Sequence, residues 1–305
     1  MPHPAPTEEW PIPAPLVHQA PGHVPAPARR GGSWRLPLNG GAIALGYIGL
    51  FHGLAIVALR FPFKWAYLPI MIGLYLWMGF GISLYLHRYL AHRSFEMAEP
   101  LKVFLALGTA LGMMRNPVWW AGQHRIHHRR ADRPGDVHSP REGLFHAHVG
   151  WILRVSDHVI EHLRAARDVP RTWYTRLFGS TAFQLGLNLA VAGGLFVWGG
   201  LGAALWCLYV PLVAYLNVAW SVNSLGHRYG YRSHETPDDS RNGLVLGILA
   251  LGEGYHNNHH AFPQLASAGR RWYEPDASST MLWLFERLGW VWDVRWQLPH
   301  SPQDA

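Results

Sequence analysis

Four runs of about twenty apolar residues, at 40–59, 65–86, 181–198 and 201–220, constrain this 305-residue chain more than any other feature. Each is long enough, as a helix, to cross a hydrocarbon core of roughly 30 Å. The first two are joined by residues 60–64 and the last two by Gly199 and Gly200 alone. Links that short return the chain antiparallel. The sequence therefore predicts an all-α integral membrane protein with four transmembrane helices in two hairpins. Both ends and the 87–178 segment then share one side.

Composition agrees. Charged residues are 15% of the chain, against roughly 25% in a typical soluble domain. One cysteine, Cys207, sits in an apolar run and excludes both a disulfide scaffold and a thiolate metal cage. The net charge is +7. Its cations flank the apolar runs, which indicates membrane orientation and excludes nucleic acid as a partner. Arginines crowd 87–178 and none lies at the tip of the second hairpin, so this segment is expected to be cytoplasmic. The preference for arginine over lysine and the plain four-span core point to a bacterial cell membrane.

Residues 1–36 hold nine prolines and read as a disordered tail. They lack the pattern of a signal peptide. The body is expected over 37–293, with a C-terminal tail at 294–305. The apolar stretch 101–114 is too short to span and reads as an interfacial or re-entrant piece. Residues 278–292 carry Met281, Leu284, Phe285, Leu288 and Trp292 at helical spacing and read as an amphipathic helix packed on the cytoplasmic domain.

Twenty histidines outnumber the nineteen acidic residues. His87 and His92 form HxxxxH after the second run. His124, His127 and His128 form HxxHH, and His256, His259 and His260 repeat it; His227 follows the fourth run. On a helix, positions i, i+3 and i+4 share a face, so each HxxHH aims three imidazoles into one volume. Positions i and i+5 lie about 140° apart on a straight helix. HxxxxH thus implies a helix end, or two ligands reaching around a metal pair. Neutral imidazole suits Fe, Cu, Ni and Zn. Nine histidines exceed the four that close a zinc site, and two ions with open positions fit the count better. His52, inside the first run, reads as structural. His138 and the remaining histidines share no ligand spacing with these boxes.

At these residues the chain resembles the membrane fatty-acid desaturases of the acyl-CoA delta-9 (stearoyl-CoA) type. The matching stretches are HRYLAHRSF from His87, HRIHH from His124 through Asp132 to HSP at His138, NSLGH from Asn223, and GEGYHNNHHAFP from Gly252. The order agrees over about 40–293. The resemblance implies a di-iron centre held by His87, His92, His124, His127, His128, His227, His256, His259 and His260, with Asn223 reaching one metal through water. Asp132, Asp136 and Glu253 are candidates to orient the imidazoles. It also implies an acyl tunnel among the spans, with Trp120 at its bend and Tyr75 at its end. Tyr75, Gly79, Ser83 and His87 fall at i+4 steps, so Tyr75 would lie about 18 Å below His87. That stripe reads equally as a chain-measuring slot or a small-residue packing face.

The chain departs from the resemblance at Gly122 and Gln123, where members acting on CoA esters carry Arg-Asp, and at Trp119, which replaces an aspartate. Acyl carrier protein and phospholipid therefore stand beside acyl-CoA as carriers of the long-chain substrate. The expected activity is oxygen-dependent insertion of a cis double bond, at delta-9, into a saturated acyl chain. Electrons would come from a separate donor of the ferredoxin, rubredoxin or cytochrome b5 type. A membrane di-iron hydroxylase is the alternative. A His-rich metal transporter is remoter, because it would place ionisable residues inside the spans.

Overall fold

The computed structural model describes residues 40–153 and 159–297. The expected tail at 1–36 and residues 298–305 lie outside them. The described chain is mostly helical: α1 (Gly40–Ala58), α2 (Leu68–Phe80), α3 (Glu99–Leu111), α4 (Pro117–Arg130), α5 (Leu144–His148), α6 (Val159–Ala165), α7 (Trp173–Phe178), α8 (Thr181–Ala204), α9 (Val210–Ser224), α10 (Leu244–Leu249), α11 (His256–Ala261) and α12 (Ala277–Arg287). A π-wound segment, Gly81–Ala91, prolongs α2, and another, Leu205–Tyr209, links α8 to α9. The only strands among the described residues are β1 (Glu96–Met97) and β2 (Val291–Trp292), which pair antiparallel.

Two helical stretches are long and apolar enough to cross a membrane, Trp65–Ala91 and Thr181–Ser224; α1 supplies a shorter apolar stretch, Ile43–Ala58. The second long stretch is folded. Helical geometry fails at Gly199 (φ −146°, ψ 15°) and Gly200 (φ +75°, ψ −173°), and the latter is backbone that glycine adopts most readily. Beyond this tip Trp206 Nε1 donates to Phe61 O (3.1 Å), and before it Trp198 packs edge-on against Tyr67. At the opposite end Gln184 Nε2 donates to Arg115 O (3.0 Å), and midway along α1 and α9 Asn217 Nδ2 donates to His52 Nε2 (3.0 Å). The chain thus runs out and back twice, with the histidine boxes at one end. Ile56, Leu59, Leu189 and Val197 leave apolar side chains exposed along this layer, as a lipid-facing surface does.

His52 sits between Asn217 and Ile48 O and stacks on Trp220, a structural position. The 101–114 stretch becomes α3, packed on the π end of α2 and on α7 and α8. The amphipathic reading of 278–292 needs correction. The helix ends at Arg287; it buries Ser278 and Leu282 and packs Met281 and Phe285 on the core as expected, while Leu284, Leu288 and Trp292 remain exposed. Chain past 288 turns away to pair with β1, so spacing beyond it no longer marks a helix face.

Candidate metal centre

Four local structures deliver the boxes. His92 N donates to His87 O (3.1 Å), closing a π turn. Winding of this kind brings residues five apart back to one face, so the two rings stand 4.8 Å apart and point together. This removes the 140° separation expected of an α-helix. Helix α4 begins at Pro117, and the Asn116 side chain caps it by accepting from Val118 N (2.9 Å) and Trp119 N (3.3 Å). It carries His124, His127 and His128. Helix α11 carries His256, His259 and His260, all buried, and His227 lies just past α9.

Nine imidazoles meet in two clusters. His87, His92, His124, His128 and His259 form one; His127, His227, His256 and His260 form the other, with ligand atoms within 4.8 Å in each. The expectation that each HxxHH fills one volume is therefore corrected. In α4 the i and i+4 residues serve the five-histidine cluster and i+3 the other. In α11 the division is reversed. Both helices lie between the clusters, so each feeds both.

Carboxylates set the tautomers. His87 Nδ1 meets Glu253 Oε2 (2.6 Å), His127 Nδ1 meets Asp136 Oδ1 (3.0 Å), His227 Nδ1 meets Asp132 Oδ2 (2.7 Å) and His260 Nδ1 meets Asp238 Oδ2 (3.0 Å). An ionised carboxylate accepts a hydrogen bond from Nδ1–H, which keeps the proton there and leaves Nε2 as a bare lone pair. Glu253 is further held by Arg88 Nε (3.0 Å), Arg88 Nη2 (2.9 Å) and the Ser83 hydroxyl.

The local electrostatics keep most of these rings neutral. Burial, then repulsion from neighbouring imidazoles, pushes His92, His124, His128, His256 and His259 well below the usual imidazole range. Burial takes His260 down to about 4 despite Asp238. His127 goes the other way, because Asp136 outweighs the cost of burying its charge. Burial alone would raise Asp132, but the hydrogen bond and charge of His227 hold it at about 2. Asp136, Asp238 and Glu253 are likewise held below the usual carboxylate range against burial, each chiefly by its histidine.

The donor set fits metal. Nε2 atoms approach to 2.8 Å for His92–His124, 2.9 Å for His128–His259 and 3.0 Å for His87–His259. In the other cluster His256 Nε2 lies 3.0 Å from His227 and 3.1 Å from His260, while His127 Nε2 has no hydrogen-bond partner among the described residues. One Nε2 proton on His256 satisfies only one of its two neighbours. A cation at the centre satisfies them all. Nitrogens about 2.0 Å from one ion stand about 2.8 Å apart at right angles and 3.3 Å at tetrahedral angles. The five-histidine spacings match the higher coordination, unlike a closed tetrahedral zinc site.

A cavity lined mainly by apolar and aromatic residues opens on both clusters. His87, His124, His127 and His256 line it with Ile82, Leu216, Trp220 and Tyr215. Asn223 lines it too and is half-buried. Trp120 is part of the wall and stacks on His124 (5.1 Å, 14°). Tyr75 and Gly79 stand elsewhere. Tyr75 OH donates to Leu249 O (2.8 Å), a Cβ on Gly79 would run into Leu251 and Tyr215, and Ser83 and His87 hold Glu253. Below His87 the i+4 stripe is thus a packing face, the second of its two readings, set against residues 249–253. Tyr215, packed edge-on to Tyr75 at 5.1 Å, lines the cavity instead.

Asp238 escaped sequence reasoning, since it matches no box. The available signal is general: a metal-binding imidazole wants an acceptor on its far nitrogen, and four such imidazoles call for one carboxylate more than Asp132, Asp136 and Glu253. Gly122 also has a physical reason. Helix α6 lies so close that a Cβ there would fall into the His162 carbonyl, which leaves no room for an arginine. Arg125 is spent on Leu90 O, Ala91 O, Ala165 O and Asp168, and Arg130 pairs with Glu161.

Comparison with known proteins agrees with this geometry. Residues 63–296 match the family model "Fatty acid desaturase". The chain is 35% identical to an acyl-CoA 5-desaturase of Anemone leveillei, over 82% of this chain and 78% of the relative. It is 32% identical to the sn-1 stearoyl-lipid 9-desaturase of Anabaena variabilis (82% and 91%) and 36% identical to delta-9 acyl-lipid desaturase 2 of Arabidopsis thaliana (80% and 79%). The chain belongs to the fatty acid desaturase family and is an oxidoreductase.

Proposed function

We propose that this protein inserts a cis double bond at delta-9 of a saturated long-chain acyl group, with one iron ion in each histidine cluster. Nine converging imidazoles that open onto an apolar cavity carry this reading. The net reaction takes the acyl chain, dioxygen, two electrons and two protons to the alkene and two waters. Two iron ions so held supply the redox chemistry that couples dioxygen reduction to hydrogen removal.

The chain's own residues do the rest. Glu253, Asp132, Asp136 and Asp238 hold Nδ1 protons on four imidazoles, so each Nε2 stays aimed. Asn223, on the cavity wall, is suited to hold a water on the four-histidine side. Trp120, stacked on His124, and the apolar walls exclude water and keep one methylene pair against the centre, since adjacent methylenes are chemically alike. Acyl-lipid, acyl-CoA and acyl carrier protein remain the carrier classes, with electrons from a separate ferredoxin, rubredoxin or cytochrome b5 type donor. Four spans, with the histidine end cytoplasmic in a bacterial cell membrane, accord with the two hairpins and the arginine bias.

Expression in a host lacking unsaturated fatty acids tests the proposal. A new mono-unsaturated chain by mass spectrometry supports it. Hydroxylated chains, or altered metal uptake alone, sink it.

A further inference from the structure

Three buried donors that the metal clusters do not use face the same cavity. Trp119 Nε1, Gln123 Nε2 and Trp151 Nε1 have no hydrogen-bond partner among the described residues, and all three side chains line the cavity. Trp119 and Gln123 are only 7% and 4% exposed. Leaving a buried N–H unmade costs more than making it gains, so three along one cavity need a cause. Trp119, Gln123 and His127 stand at i, i+4 and i+8 on α4, one above another on a single face. Trp151 lies parallel to Trp119 at 6.5 Å.

We infer that Trp119 and Gln123 are two rungs for the carbonyl oxygen of the substrate's ester or thioester, and that the rung occupied sets where the double bond falls. The inference rests on the desaturase reading above. Both donors are neutral, so they read the carbonyl and not the charge of its carrier. Gln123 lies about 6 Å and Trp119 about 12 Å before His127 along the helix axis. With C–C bonds of about 1.5 Å an extended chain advances about 1.25 Å per bond. The rungs therefore differ by about five carbons. A carbonyl on Trp119 brings carbons ten and eleven level with His127, about one bond beyond a delta-9 pair, and one on Gln123 brings carbons five and six. Trp119 is the working rung for a mid-chain double bond, and Trp151 flanks it. The competing device counts from the methyl end, with the chain stopped at Tyr215.

The full-length protein in detergent is titrated with methyl stearate and with octadecane, which differ by the ester. Methyl stearate is expected to bind roughly tenfold tighter, about one buried hydrogen bond. Trp119→Phe reduces that preference and Trp119→Phe with Gln123→Leu erases it, with octadecane binding unchanged as the check on folding. In a second arm, 16- and 18-carbon saturated chains are supplied to expressing cells. Both products carry the bond at the same carbon from the carboxyl end, and Trp119→Phe moves part of it about five carbons towards that end. Equal affinity for the two ligands, or a preference that survives both substitutions, overturns the inference. So does a bond at constant distance from the methyl end. An intact ester preference without any desaturated product supports the rungs and overturns the reaction instead.

Discussion

The two histidine clusters draw on the same two helices, α4 and α11, yet the fold equips them differently. The five-histidine cluster has one carboxylate against a ring nitrogen, Glu253 on His87, and Glu253 is shared with Arg88. The four-histidine cluster has three, Asp132, Asp136 and Asp238. One site would offer an ion more nitrogens. The other offers fewer nitrogens, made more basic and surrounded by more negative charge. Ligand number and outer charge thus compensate one another.

The strongest break in this pairing is loss of a ligand. His124→Ala and His256→Ala, one from each cluster, are each expected to abolish product and to leave about half the iron, by metal analysis of the purified protein. Full activity in both variants would defeat the ligand set.

Next is Glu253. Glu253→Ala leaves buried Arg88 with Asp276 as its remaining carboxylate, so stability should fall by up to about 3–5 kcal/mol. The loss should persist in metal-free protein. Thermal melting checks this, and an unchanged melt would reduce Glu253 to a ligand-orienting role.

Asp132→Asn, Asp136→Asn or Asp238→Asn should act on one cluster only. Affinity for the second iron should drop about 10–100-fold, while the first ion stays bound in a chelator titration. Equal loss of both ions would show that the clusters are not separable.

Acid sharpens the contrast further. The lowered imidazoles stay neutral in the fold, while an unfolded histidine takes a proton below about pH 6.5. The unfolded state then binds more protons, so stability of the metal-free protein falls as pH drops from about 6.5. His92, His124, His128 and His259 weight this towards the five-histidine cluster, whereas His127, raised by Asp136, partly offsets it in the other. A melting temperature flat from pH 7.5 to 5 would contradict it. The smallest effect belongs to Arg141→Ala. It removes an exposed pair with Asp239 (2.7 Å) beside the four-histidine cluster, expected at about 0–1 kcal/mol.

Much of the site was readable in the sequence because HxxHH and HxxxxH spacing sets imidazoles close together, whatever the rest of the fold does. All nine box histidines fall in the two clusters, and Asp132, Asp136 and Glu253 stand on their rings. What spacing leaves open has one cause. α-Helical angles set His87 and His92 about 140° apart, and the π turn at the helix end closes that angle. The Tyr75–Gly79–Ser83–His87 stripe is a true helix face, but what it faces is residues 249–253, some 170 positions away.

By itself the sequence determined two hairpins of apolar helices and the nine imidazoles that gather in two clusters. Run length, turn glycines and side-chain chemistry are local properties. Only the tertiary structure decided which histidine joins which cluster, that Asp238 supports His260, and that Tyr215 lines the cavity while Tyr75 does not. Those choices rest on helix winding and on contacts between distant segments, which no spacing along the chain encodes.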